Sequence, residues 1–189
     1  SMDVNKLMRS LAAKTNPNDS AQWLPLWMHA RDTAGIMAEL WKHWLPDAVR
    51  REICGGSEEA LLENEALFQK VCVFLGMAHD IGKATAVFQA RILKMLPEVR
   101  ERLAEEGLEI ADIKTFTDPS AVAHALAGQV ILQQRGVNEG ICEIVGAHHG
   151  KPQEAVSEST FDEHLVNFRG KDSDAELWAD IWDAFLQYA

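Results

Sequence analysis

Five of the seven histidines in this 189-residue chain stand at expected helix ends or inward-looking positions: His29, His79, His124, His148 and His149. The second is followed at once by a carboxylate, in the stretch Leu75-Gly-Met-Ala-His79-Asp80-Ile-Gly82-Lys83. An imidazole and a carboxylate on adjacent residues can serve one ion only if the backbone turns there. Gly82 is read as supplying that turn, just past a helix C-terminus. The pair His148-His149 carries the same demand, because neighbours on a helix point about 100° apart. Gly150 and Pro152 put a helix end directly after it. Each residue also has a plain reading. His79 would be a dipole-stabilising helix end, His29 or His124 a hydrogen-bonded core residue, and His148-His149 a surface pair. His43 and His164 sit among polar neighbours and need no special role.

As an ordered set the donors run His, His-Asp, His, His-His over several helices. Imidazoles and a carboxylate from different helices of a bundle make a natural metal site. The set is rich in nitrogen and lacks suitably spaced cysteines, which favours Mn, Fe, Co, Ni or Zn over calcium. Asp80 has two oxygens and can bridge two ions, whereas an imidazole has one free nitrogen. Two ions about 3.5–4 Å apart clamp a phosphodiester and generate hydroxide between them.

The elements that must position these groups read almost entirely as helix. Leu26, Ala30, Thr33, Met37, Leu40 and Trp44 fall on one helical face that ends near Pro46, and His29 and Asp32 share a side of it. Ser57 with Glu58 and Glu59 marks the start of a second helix running into His79. Thr85 to Leu96 is predicted as a third, stopped by Pro97, and Glu98 to Glu106 as a short fourth. Asp118-Pro119 is read as an N-terminus for a helix containing His124, and Asn138 as the cap of the helix that ends after His148-His149. Phe161 to Phe168 is a short amphipathic piece. Ser173-Asp-Ala-Glu176 is read as a capping box before the stripe Leu177, Trp178, Ile181, Trp182, Phe185. No segment shows sustained two-residue alternation. The expected fold is an all-α, single-domain helical bundle.

The length suits one domain with a sizeable core, and 47% apolar with 25% charged residues is an ordinary globular composition. No apolar run approaches bilayer length and no signal peptide is visible, so no membrane partner is expected. Three scattered cysteines, Cys54, Cys72 and Cys142, argue against a disulfide framework and fit a cytoplasmic setting. Eighteen basic against 29 acidic residues leave a formal charge of −11. A domain that held nucleic acid tightly by itself would be basic. Bound cations can supply the local positive charge, but a polyanionic substrate is then expected to be delivered by something else. Ser1 ahead of Met2 looks like the remnant of a cleaved tag, so residues 1–189 are expected to be one domain of a longer chain.

The residues His29-Ala-Arg-Asp32-Thr, His79-Asp80-Ile-Gly82-Lys83 with Phe88-Gln89, His124-Ala-Leu-Ala-Gly128 and Gly146-Ala-His148-His149-Gly150 occur in order. This set resembles the HD phosphohydrolase superfamily, and more closely the HD nuclease domain of the CRISPR-associated nuclease–helicase of type I interference. The resemblance covers roughly residues 25 to 152. It implies that His29, His79 and Asp80 hold one divalent ion (Mn, Fe, Ni or Co, with Mg as a further candidate). Asp80, His124, His148 and His149 would hold a second. It makes Asp80 and Lys83 the catalytic pair, Lys83 neutralising a phosphate oxygen, and Asp32 an outer group that orients a ligand or fixes the first helix. The implied substrate is single-stranded DNA displaced by the guide-RNA surveillance complex. Unwinding would come from a helicase domain in cis or in trans, of which no motif is present. The resemblance also implies one more acidic ligand downstream of the double histidine. Asp162, Asp172, Asp174, Asp180 and Asp183 stand in no matching context, so that ligand is expected beyond residue 189 and one ion is expected to bind weakly. Asp80→Ala is expected to abolish cutting while leaving the fold intact. Two rivals remain: an HD-type phosphohydrolase of nucleotides or cyclic nucleotides, and a non-catalytic docking module with a structural metal. The first would need a basic pocket, and apart from Lys83 no Lys or Arg cluster lies near the motifs.

Overall fold

The computed structural model describes residues 2–154 and 156–188. Its described residues form eleven α-helices and one two-stranded sheet, in agreement with the helical bundle expected. Helix α1 (Val4–Ser10) leads into strands β1 (Ala12–Asn16) and β2 (Asp19–Pro25). Helix α2 (Leu26–Glu39) continues as a π-helical turn, Leu40–Trp44, and is followed by α3 (Asp47–Cys54) and α4 (Glu58–Ala78). A 3-10 turn, Ile81–Lys83, joins α4 to α5 (Ala86–Ile92). Then come α6 (Pro97–Glu105), α7 (His124–Gln134), α8 (Glu139–Gly146), α9 (Thr160–Glu163), α10 (Leu165–Arg169) and α11 (Ala175–Leu186).

The long helices form where the apolar spacing placed them. Ser57 caps α4 by accepting from the Ala60 amide, and Asn138 caps α8 through the amides of Gly140 and Ile141. Helix α11 buries Leu177, Trp178, Ile181, Trp182 and Phe185 in the core shared with Leu7, Met8 and Leu11. Helix α4 packs closely on α2 because Gly76 has no side chain. A Cβ there would stand 2.7 Å from Met37 Cγ and 3.0 Å from the Thr33 carbonyl oxygen. That approach brings the rings of His29 and His79 to 5.2 Å between centroids.

In its secondary structure the protein departs from the sequence reading at several places. The β1–β2 hairpin was not expected. Its pairing is antiparallel with two register irregularities, and neither strand alternates buried and exposed residues, so no period of two exists to be read. Asn16-Pro17-Asn18 is the turn, with the Asn18 amide bonded to Asn16 Oδ1 at 3.0 Å. Pro97 begins α6 instead of stopping α5, which already gives way to a 3-10 turn at Leu93. Asp118-Pro119 does not start a helix. The Asp118 carbonyl accepts from Asn167 Nδ2 at 2.8 Å and the Pro119 carbonyl from Arg91 Nη2 at 2.9 Å, which pins this segment outside a helix. Helix α7 therefore begins at His124 itself. The amphipathic piece expected over Phe161 to Phe168 breaks at His164 into two short helices. The capping box at Ser173 does not form, because Asp172–Asp174 is a 3-10 turn and Asp174 caps α11 without a side-chain bond.

Among the described residues no single helix is long and apolar enough to cross a membrane. The three cysteines are free; Cys54 and Cys142 are buried and Cys72 is half-buried.

Candidate metal centre

Asp80 is the centre of the arrangement. Its backbone lies just after α4, and its carboxylate is almost fully buried. Oxygen Oδ2 faces His29 Nε2 at 2.9 Å, His79 Nε2 at 3.4 Å and Lys83 Nζ at 2.9 Å. Oxygen Oδ1 faces His124 Nε2 at 3.4 Å and His148 Nε2 at 3.3 Å. His149 Nε2 lies 2.8 Å from His124 Nε2. All six residues expected to gather do so, and one carboxylate faces a separate group of imidazoles with each oxygen.

Local structure explains the aim of each ring. His79 and His148 both follow helix ends, so each ring can turn back on its own helix. The Nδ1–H of His79 donates to the Gly76 carbonyl at 2.8 Å, and that of His148 to the Val145 carbonyl at 2.7 Å. A carbonyl can only accept, so these bonds fix the tautomer and leave Nε2 as the free donor atom. Helix α8 ends at Gly146, three residues earlier than expected, and Gly150 at φ 89° closes the turn that holds His148 and His149. His124 opens α7, where the first turn meets the 3-10 turn at Ile81–Lys83.

Gly82 has a different task from the one inferred. Its φ is not positive. What it provides is an empty space: a Cβ there would overlap the His124 carbonyl oxygen and stand 2.6 Å from the Gly128 amide nitrogen. The turn carrying Asp80 and Lys83 can touch α7 only because residue 82 has no side chain. Asp32 also differs from expectation. It is exposed and lines an outer groove with Arg31, Ile36 and Trp44. Three residues along a helix leave a side chain about 60° off the His29 direction, enough to turn it to solvent. His43 pairs with Glu39 at the surface, as its neighbours suggested.

The electrostatics follow from burial and partners. Burial opposes ionisation of Asp80. The His124, His148 and His79 rings and the Lys83 ammonium around it outweigh burial and hold the carboxyl well below the usual carboxylate range. Burial pushes His29 and His149 below their ordinary value, which favours neutral rings. The Asp80 carboxylate beside it pushes His148 above its ordinary value.

The donor set fits divalent ions. His29, His79 and Asp80 offer three ligand atoms within 4.8 Å of one another, and so do His124, His148 and His149. His148 Nε2 is buried with no hydrogen-bond partner, the state of an atom shaped for a ligand. Among the described residues Asp80 is the sole carboxylate in either group. Asp172 and Asp183 instead pair with Arg169 and Arg135.

The sequence model of the family described as "Cas3, HD domain" matches residues 13–189. The chain belongs to the Cas3 HD-domain family. It is 32% identical, over 94% of its length, to a CRISPR-associated nuclease/helicase Cas3 of Streptococcus thermophilus. It is 28% identical, over 87% of its length, to a CRISPR-associated endonuclease/helicase Cas3 of Thermus thermophilus. The alignments cover 20% and 17% of those two proteins, so the chain spans about a fifth of the curated relatives it matches. No solved structure matches.

Three residues of this Cas3 HD domain that touch the turn were given no role from sequence. The Gly82 carbonyl accepts from Thr85 Oγ1 at 3.0 Å, the Lys83 carbonyl from Gln89 Nε2 at 2.9 Å, and the Ala84 carbonyl from Trp182 Nε1 at 2.6 Å. Gln89 belongs to a quoted motif. Trp182 looked like one more core aromatic, and nothing in its spacing marks a donor.

Proposed function

We propose that this domain is a metal-dependent nuclease hydrolysing phosphodiester bonds of single-stranded DNA. The observation that carries the reading is the division of Asp80, whose two oxygens face two separate imidazole groups. His29, His79 and Asp80 Oδ2 would hold one divalent ion; His124, His148, His149 and Asp80 Oδ1 the other. Ions of the Mn, Fe, Co or Ni type bound there would supply Lewis-acid activation of the phosphate and of the attacking water. The chain's own residues supply orientation and charge. Backbone-anchored His79 and His148 hold their rings in one tautomer. Asp80 stays ionised across the working pH range. Lys83 lies beside Asp80 Oδ2 and can turn its ammonium to a phosphate oxygen while keeping that partner. Phe88, with Lys83 Nζ 5.7 Å from its ring centroid and His124 at 5.8 Å, closes one side of the centre.

A net charge of −11 supports delivery of the strand by others. We assign that task to a helicase part, in cis or in trans, acting on DNA opened by a type I guide-RNA surveillance complex in the cytoplasm. The test is incubation with single-stranded DNA, nucleotides and cyclic dinucleotides, each with Mn²⁺ or Ni²⁺. Cutting of the DNA alone is expected. Turnover of the small phosphates without DNA cleavage would replace the reading with a phosphohydrolase. Metal uptake with no turnover of any of them would leave a structural centre.

Lys83→Ala is expected to slow cutting by roughly 10²-fold while the metal stays bound, because a charged lysine stabilises developing phosphate charge but ligates no cation. Rates and metal content measured on one preparation check this, and loss of metal would make Lys83 structural. Metal binding is also expected to depend on pH. His148 is held above its ordinary value of 6.5, so a proton occupies it below that folded value and must leave when an ion binds. Apparent affinity should therefore climb as pH rises through the folded value, by about tenfold per unit for each proton released. Calorimetry in buffers of differing ionisation enthalpy measures that release directly.

A further inference from the structure

We propose that Gln89 and Trp182 are positioning residues that act through Lys83. The inference rests on the role given to Lys83 above. Gln89 is fully buried, and its side-chain amide makes three bonds. Its Oε1 accepts from the Ala12 amide at 3.1 Å; its Nε2 donates to the Ala12 carbonyl and to the Lys83 carbonyl, both at 2.9 Å. Trp182 is buried too, and its N–H is spent on the next carbonyl, that of Ala84.

Burying a primary amide is costly unless every polar atom finds a partner. An apolar residue would fill the same space more cheaply if packing were the only need. Here the amide does something packing cannot. It joins strand β1, 77 residues away in sequence, to the backbone of the residue that carries the ammonium. Trp182 does the same from α11, 98 residues away. Together with Thr85 they tie three successive carbonyls, those of residues 82, 83 and 84, to buried donors.

The consequence lies in the side chain. A lysine has a flexible four-carbon stem, so its ammonium is well placed only if its backbone is held and its stem is enclosed. Lys83 is buried, Phe88 covers its ammonium, and its backbone is pinned through its own carbonyl and the next. Loosening either bond lets the ammonium sample positions away from Asp80 Oδ2. That reduces charge stabilisation of the reacting phosphate and leaves the imidazole groups in place, since none of them bonds to Gln89 or Trp182.

The test compares Trp182→Phe and Gln89→Met in the parent and in Lys83→Met. Trp182→Phe keeps an aromatic ring while removing the N–H together with part of the indole, and the comparison with the Lys83→Met background separates that lost packing from an effect through Lys83, so it serves even if Gln89→Met fails to fold. In the parent each variant is expected to lower kcat on single-stranded DNA by about tenfold, with KM and metal content unchanged. In the Lys83→Met background the same changes should alter kcat by less than about twofold, because the group they act through is gone. An equal loss in both backgrounds, or a loss of metal, would show that they merely hold the fold. Hydrogen exchange gives a readout free of activity. The amides of Lys83 and Ala84, bonded at 2.9 Å to the Asp80 and Ile81 carbonyls, should exchange about tenfold faster in either variant beyond any change shared by the core amides. Unchanged exchange overturns the inference even if the enzyme cuts. Parent-like cutting by Lys83→Met instead overturns the role given to Lys83.

Discussion

Asp80→Ala is expected to stop cutting, empty both metal positions and weaken the metal-free fold. The first two effects follow from geometry, since Asp80 is the sole carboxylate in the centre and serves both imidazole groups. The third revises the expectation from sequence that this variant keeps its fold intact. In the structure Asp80 is buried against Lys83, itself buried, with four imidazoles around it. Removing one partner of a buried ion pair leaves the other charge uncompensated, at a cost of about 3–5 kcal/mol. Denaturation of the chelated protein should show most of that loss. The double variant Asp80→Ala/Lys83→Met should recover much of it, because the stranded ammonium is gone. Cutting retained by rigorously purified Asp80→Ala would sink the bridging role. Unchanged stability under chelation would sink the account of the pair.

Gly82→Ala should have the second-largest effect, although it adds one methyl group. The new Cβ would overlap the His124 carbonyl oxygen and crowd the Gly128 amide, and both are backbone atoms at the start of α7. Neither can rotate away as a side chain would. Ordinary overpacking costs about 1–3 kcal/mol, and a clash with helix backbone belongs at or above the top of that range. The turn must separate from α7, which draws Asp80 away from His124. Ligands displaced by even an ångström lose productive geometry, so activity should fall by about 10²-fold or more. Melting temperature and metal content together measure this. A Gly82→Ala protein with the parent's stability and full metal content would mean that the two elements have slack the structure does not show.

Much of the candidate site was legible because its donors are chemically rare and stand where helices end. His29, His79-Asp80, His124 and His148-His149 could be picked out by residue type, by order and by the turn that adjacent donors require. The helices carrying them were legible for a similar reason. Caps such as Ser57 and Asn138 act within three residues of themselves, and apolar periodicity is a local signal. The failures were local signals overruled by distant partners. Asp118-Pro119 has the form of a helix start, yet Asn167 and Arg91 take its carbonyls.

Sequence by itself determined the all-helical class, the membership of the histidine set and the presence of one carboxylate able to serve two ions. Only the tertiary structure decided which oxygen of Asp80 faces which rings. It also decided that Gly82 is needed for the approach of α7 and not for a left-handed turn, that Asp32 looks outward, and that Gln89 and Trp182 reach the Lys83 turn. The physical reason is the range of each interaction. Periodicity, capping and residue chemistry are written within a few residues. A steric gap at Gly82, or a hydrogen bond across 77 or 98 residues, exists only once the chain has brought its distant parts together.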